Sequence, residues 1–307
     1  MSELKNFNLR NQYVNWVTLK IKQRLVNFIR NWSDIGWEIA GILSPSSWTK
    51  NRPVVVTFTG GMGAQIISAA IYFFLKQEGR KVYADMSYFK KSSHLAVEGT
   101  AGDISHWDWQ LQAFSLLPES FDKLPNLHRS KYKIIRDGEH KSSLGIKALS
   151  MESVQQHFTV KEPIREILPE KFPSNYLCIH VRRGDYINVA SYLVADEDFL
   201  EIANKVSGLI GSIVIVSDSV ISDTFRRKIC DIYRNVLFLD KVDAVAAHRV
   251  MRNARVLICS NSQFSLVAAL LNRRALIFLP KKWFGDKNQK LIASMNALCN
   301  FQILQHT

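Results

Sequence analysis

Residues 176–181 form an apolar, β-branched run, Tyr-Leu-Cys-Ile-His-Val, that stops on Arg182, Arg183, Gly184 and Asp185. A run of this length without polar alternation reads as a strand covered on both faces, as in parallel sheets. The chain beyond it agrees. Candidate helices at 196–206, 222–234, 243–253 and 262–272 alternate with candidate strands at 213–217, 236–239, 256–259 and 275–279. Strand–helix alternation of this kind predicts an α/β fold with a parallel sheet and helices on both faces. In such sheets ligands sit beyond the carboxyl ends of the strands. Two adjacent arginines at that position either engage an anion, for which the planar guanidinium suits phosphate, or pair with Asp185 and shape a turn.

A second strand–turn–helix unit lies earlier. Residues 54–58 read as a strand, Gly60, Gly61 and Gly63 as a turn, 64–77 as a helix stopped by Gly79, and 81–85 as the next strand. The glycines do not match the dinucleotide G-x-G-x-x-G spacing, so an NAD site is not expected. Residues 90–165 are harder to read. Within them Asp103, His106, Trp107 and Asp108 either line a sugar-binding cleft or form a locally hydrogen-bonded loop. Residues 1–50 are set apart by an apolar stripe at helical spacing, Val14, Val17, Ile21, Leu25, Phe28, Trp32 and Ile35, interleaved with Lys20, Lys22, Arg24 and Arg30. A basic amphipathic helix with tryptophans can lie in a bilayer interface, or dock on the protein's own surface or on a second copy.

The formal net charge of +13 over 307 residues suits an anionic partner. No nucleic-acid-binding motif accompanies it, so nucleotide phosphates or an anionic membrane face are expected instead. The four cysteines, Cys178, Cys230, Cys259 and Cys299, lack metal-type spacing and read as reduced thiols of a cytoplasmic protein. No run of 18 apolar residues is present, so no spanning helix is expected.

Three blocks carry a resemblance. His180-Val-Arg-Arg-Gly-Asp-Tyr186 resembles the HxRRGDY signature of the bacterial α-1,2-fucosyltransferases, glycosyltransferase family 11. Gly60-Gly-Met-Gly-Ala-Gln65 resembles the family's GGxGNQ turn. Ser260-Asn-Ser-Gln-Phe-Ser265 with Ala268 resembles its NSxFSxxxA block. The blocks occur in the family's order, and the resemblance spans about residues 53–283.

The resemblance implies a GT-B-type architecture, two Rossmann-like domains with a cleft between them. The expected boundaries are 51–165 for the acceptor domain, 166–285 for the GDP-sugar domain and 286–307 for a tail helix, after the N-terminal extension of 1–50. It implies an inverting, metal-independent transferase without a cofactor. Fucose would move from GDP-fucose to a hydroxyl of a glycan acceptor, free or lipid-linked, in bacterial surface polysaccharide synthesis (O-antigen or capsule). The protein would be cytoplasmic, or peripheral on the inner membrane face. Two other readings stay open: another GDP-linked sugar, or a GDP-binding protein without catalysis.

Residue by residue, the resemblance makes Arg182 the fixed cation that meets the charge developing on the GDP β-phosphate. Arg183 is its companion, and Asp185 orients an arginine or acts as a base. His180, two residues before Arg182 and so on the same strand face, contacts guanine or ribose. Ser217 and Asp218 end the next strand, where the carboxylate accepts from guanine. Asn261, Ser262, Phe264 and Ser265 open a helix toward the pyrophosphate. Gly60, Gly61, Gly63 and Gln65, with Asp103 and His106, line the acceptor and sugar cleft. The departure is Ala64, where the family has asparagine, and no general base is evident.

The N-terminal stripe generates a test of its own. The full chain is expected to sediment with anionic vesicles at low salt and less so at high salt, because screening weakens surface attraction. A protein starting at Lys50 should stay in the supernatant. If it aggregates instead, the stripe covers core.

Overall fold

A computed structural model of the chain describes residues 52–90, 108–124, 132–159, 167–280 and 301–303. The segments 1–51, Asp103, His106 and Trp107 therefore lie outside the described residues. Pro53–Thr307 forms one compact unit.

That unit contains two parallel sheets. The first has the order β2-β1-β3, with β1 (Val54–Thr57) between β2 (Val82–Asp85) and β3 (Lys133–Ile135). Helix α1 (Met62–Gln77) follows β1, and α2 (Glu139–Leu149) follows β3. A short helix, α3 (Glu152–Gln155), leads toward the second half. Neither β3 nor α2 stands out in the sequence, because β3 is three residues long and half-exposed.

The second sheet has the order β6-β5-β4-β7-β8-β9, all parallel. Its strands are β4 (Leu177–Val181), β5 (Ser212–Ser217), β6 (Asn235–Asp240), β7 (Val256–Ile258), β8 (Leu276–Leu279) and β9 (Phe301–Ile303). Helices α4 (Asp196–Val206), α5 (Asp223–Ile232), α6 (Ala244–Asn253) and α7 (Gln263–Leu270) connect them. The strand–helix alternation expected from sequence is what forms, with ends shifted by a residue or two. One expectation is corrected: Phe301–Ile303, read as part of a tail helix, adds the sixth strand to this sheet. Three residues are too few to show a period.

Counted from β4, the order is 3-2-1-4-5-6, the doubly wound Rossmann arrangement. The connections after β4 and β7 leave toward opposite faces, so a crevice opens between those two strand ends. The first sheet has its own reversal between β1 and β3.

The alternation along β4 and β5 assigns the two faces. Leu177, Ile179, Val181, Ile213 and Ile215 pack with Phe199 of α4 and Phe225 of α5 in one cluster. Cys178, Val214 and Val216 face the other way, into a cluster continuous with α6, α7, α1, α2 and the first sheet. The two sheets thus share one apolar core. At its centre α1 meets α7: a Cβ built on Gly63 would lie 2.7 Å from the Phe264 backbone nitrogen and 2.8 Å from Gln263 carbon. Gly145 of α2 meets α1 in a softer way, since a Cβ there would press on the Ile67 Cγ2 methyl at 2.5 Å.

This contrast predicts unequal costs for the same added methyl. Gly63→Ala should destabilise by about 1–3 kcal/mol or more, because backbone cannot yield locally. Gly145→Ala should cost less, since an isoleucine can change rotamer. Denaturant unfolding of both variants checks the ranking, and equal costs would remove the interlock.

Candidate functional site

The site follows from the reversal between β4 and β7. Arg182 is the first residue beyond β4, on the same face as Cys178 and His180. Its Nη1 lies 2.8 Å from Asp218 Oδ2, just beyond β5, and both side chains are 13% exposed. The guanidinium also lies 5.3 Å from the centre of the Tyr186 ring. Asp218 holds the whole corner. Its Oδ1 accepts from the amides of Arg183 at 2.9 Å and Gly184 at 3.3 Å, and from the Ser219 hydroxyl at 3.4 Å. A Cβ on Gly184 would come within 2.5 Å of Asp218 Oδ2, so a side chain there would push on the carboxylate.

Arg183 goes elsewhere. Its Nη2 donates to Asp196 Oδ1 at 2.5 Å, in the first turn of α4, and its guanidinium lies 5.9 Å from the Phe199 ring centre. The arginines are thus oriented by Asp218 and Asp196. Asp185, expected in that role, opens a short 3-10 turn at Asp185–Asn188, and its side chain is outside the described ones.

His180 is 2% exposed, with Nδ1 2.7 Å from the Ser260 hydroxyl. That bond ties β4 to the loop after β7, across the crevice. Burial, with the charge of Arg182 adding to it, pushes its pKa down to about 3. Ser217, Ser262 and Ser265 are buried and bonded within the protein. Ser217 Oγ accepts from Ser219 N, Ser262 Oγ caps α7 by accepting from Phe264 N, and Ser265 Oγ donates to the carbonyls of Ser260 and Ser262. Asn261 is buried beside them. These residues build the wall of the crevice, and the start of α7 faces Gly63 at close range.

On the first sheet, Gly60 takes φ +68, the left-handed conformation that favours glycine, and Gly61 is the N-cap of α1. Gln65 is fully buried. Its Nε2 donates to the carbonyls of Gly60 at 2.9 Å and Asp108 at 2.8 Å, while its Oε1 accepts from Gln110 N. Gln110 in turn accepts from Met62 N at 2.7 Å. Gln65 therefore fixes the glycine turn from beneath. Ala64 is half-buried, with its Cβ turned back toward Gly60.

Sequence reasoning missed two features. One is a cluster of Thr59, Asp137 and Lys141 at the ends of β1 and β3, invisible because its members are 78 and 4 residues apart without a motif. The other is His248 of α6, 1% exposed between Phe114 and Phe264 at ring-centre distances of 5.8 and 5.6 Å. Neither of its nitrogens has a hydrogen-bond partner among the described residues. Burial holds its pKa well below the usual histidine range, with Arg252 adding to the effect. Cys178, Cys230 and Cys259 are free thiols. Among the described residues no helix is long and apolar enough to cross a membrane.

The family model for glycosyl transferase family 11 matches residues 107–297. No curated protein sequence matches the chain. Among solved structures, POFUT1 in complex with GDP-fucose is 12% identical, with a TM-score of 0.42 and coverage of 74% of this chain and 95% of that one. NodZ alpha-1,6-fucosyltransferase soaked with GDP-fucose is 15% identical, with a TM-score of 0.39 and coverage of 75% and 95%. The E. coli heptosyltransferase WaaC with ADP-2-deoxy-2-fluoro heptose is 12% identical, with a TM-score of 0.38 and coverage of 75% and 89%.

The buried imidazoles set an acid limb of stability. Both are neutral in the folded chain, whereas an unfolded histidine takes up a proton near pH 6.5. Between there and about pH 3 the unfolded state binds more protons, so stability is complete above pH 6.5 and falls as pH drops. His248→Leu removes an unpartnered polar group and should melt no lower than wild type at pH 7. It should also lose less between pH 7 and pH 5, with His180 supplying the remaining slope. A clear loss at pH 7 would mean that the imidazole is hydrogen-bonded.

Proposed function

This chain belongs to glycosyl transferase family 11, and on that premise we propose that it transfers fucose from GDP-fucose to a hydroxyl of a glycan acceptor. The transfer proceeds with inversion and without a metal, forms an α-1,2 linkage and serves surface polysaccharide synthesis. The observation that carries the reading is the fixed cation at the switch point. Arg182 stands at the carboxyl end of β4, and its guanidinium is oriented by Asp218. When the sugar–phosphate bond breaks, negative charge grows on the β-phosphate. A guanidinium already oriented can meet that charge without reorganising.

The other residues of the motifs take supporting roles. Asp218 positions Arg182 and the amides of Arg183 and Gly184. Arg183 anchors the loop to α4 through Asp196. His180 and Ser260 hold the two sides of the crevice together. Ala64 leaves one fewer hydrogen bond beside the glycine turn than the family's asparagine. That favours a second reading, in which the donor is a different GDP-linked sugar.

A screen of GDP-sugars for GDP release, with glycan acceptors present and with EDTA, tests the function. Arg182→Lys should keep the fold and lose on the order of 100-fold or more in turnover, since a point charge does not replace the planar fork. Activity should survive EDTA. Near-normal turnover by Arg182→Ala would overturn the role given to the cation. A wild type that binds GDP and turns over no GDP-sugar would be a binding protein.

A further inference from the structure

The transferase reading leaves the acceptor proton without a destination. We propose that the Asp137 carboxylate takes it, so that the first sheet supplies the base for a reaction whose leaving group is handled by the second; the assignment rests on the transferase reading.

Each sheet has a point where its connections diverge, and both are ligand-binding positions by the same topological logic. In the first sheet that point lies between β1 and β3. The loop after β1 carries Thr59 and Gly60, and the loop after β3 carries Asp137. The Thr59 hydroxyl donates to Asp137 Oδ2 at 2.6 Å, and Lys141 Nζ donates to Oδ1 at 2.7 Å. Lys141 Nζ also donates to the Thr57 carbonyl at 2.7 Å.

The exposures of the pair are opposite. The Lys141 side chain is 4% exposed and that of Asp137 is 59% exposed. A surface ion pair would leave both in water. Here the ammonium is inside, where burial lowers its pKa although Asp137 opposes the shift, and the carboxylate points out. The N-cap of α2 is Gly138, so the carboxylate is not serving as the helix cap. A carboxylate offers about four lone-pair positions, and two donors leave room for an acceptor hydroxyl. Tyr88, from the turn after β2, bonds the Gly60 backbone and feels the Asp137 charge. Among the described residues, the titratable groups found to interact with this carboxylate include Lys141 and Tyr88.

This corner adjoins the donor side. Gln263 Nε2, at the first residue of α7, donates to Ser142 Oγ in the first turn of α2 at 3.3 Å. Gly63, four residues beyond Thr59, packs on the backbone of Gln263 and Phe264. The loops after β1 and β3 and the loop after β7 therefore border one junction.

The step balances without a further reactant. The acceptor oxygen forms its bond to the sugar C1 while the bond from C1 to the β-phosphate oxygen breaks. The electron pair stays on the phosphate beside Arg182, and the hydroxyl proton passes to Asp137 and then to solvent. Lys141 keeps its proton and offsets the carboxylate charge.

Asp137→Asn in the full chain tests the assignment. GDP affinity by calorimetry should stay within about twofold, while kcat for glycan transfer falls on the order of 100-fold. Asp137→Glu, which keeps the carboxylate, should recover part of the lost kcat. Thr59→Val leaves the carboxylate and Lys141 in place but removes one of the two donors that orient it, so kcat should fall with GDP affinity unchanged. Asp137→Asn with normal GDP affinity and kcat within about twofold of wild type overturns the base while the transferase reading stands. An unchanged kcat in Thr59→Val does the same, whether or not Asp137→Asn folds. A wild type inert toward every GDP-sugar overturns both.

Discussion

The second-sheet site depends on one half-buried carboxylate. Asp218 draws in the Arg182 guanidinium, the next two backbone amides and the Ser219 hydroxyl. Removing Asp218 would leave the Arg182 charge uncompensated at a position only 13% exposed. The corner is therefore held as a unit, and the orientation of Arg182 is set before any ligand arrives. Gly184 is part of the same constraint, since a side chain there would strike Asp218.

A second constraint joins the halves. Many two-sheet proteins bury each sheet in its own core, but here β4 and β5 send alternate residues into a cluster shared with α1, α2 and the first sheet. Gly63 lets α1 approach the backbone at the start of α7, and His180 bridges β4 to the loop after β7. The crevice walls are fixed by packing and by internal hydrogen bonds rather than by loops awaiting a ligand. That arrangement suits catalysis by preoriented charge, which needs groups that do not reorganise.

The motifs turn out to divide their work unevenly. Of the polar residues expected to touch a nucleotide, His180, Ser217, Ser262 and Ser265 are spent on holding the site together, and Gln65 does the same for the glycine turn. The guanidinium of Arg182, held by Asp218, lies at the crevice of the second sheet. The conspicuous carboxylate at the first sheet is Asp137, which belongs to none of the three motifs.

What the sequence determined by itself is the second half of the fold and the position of Arg182. Unbroken apolar runs and helical spacing are local properties, so β4 to β8 and their helices could be read within a residue or two, and the arginines fell at a strand end. The sequence could not show β3, because a three-residue, half-exposed strand has no period, nor β9, for the same shortness. It could not decide which carboxylate orients which arginine, since Asp218 and Asp196 are distant from them in the chain. Nor could it assemble Thr59, Asp137 and Lys141. The Arg182–Asp218 and Thr59–Asp137 pairings form when parallel strands lay distant loops side by side, and only the sheet order, which is a tertiary property, brings them together.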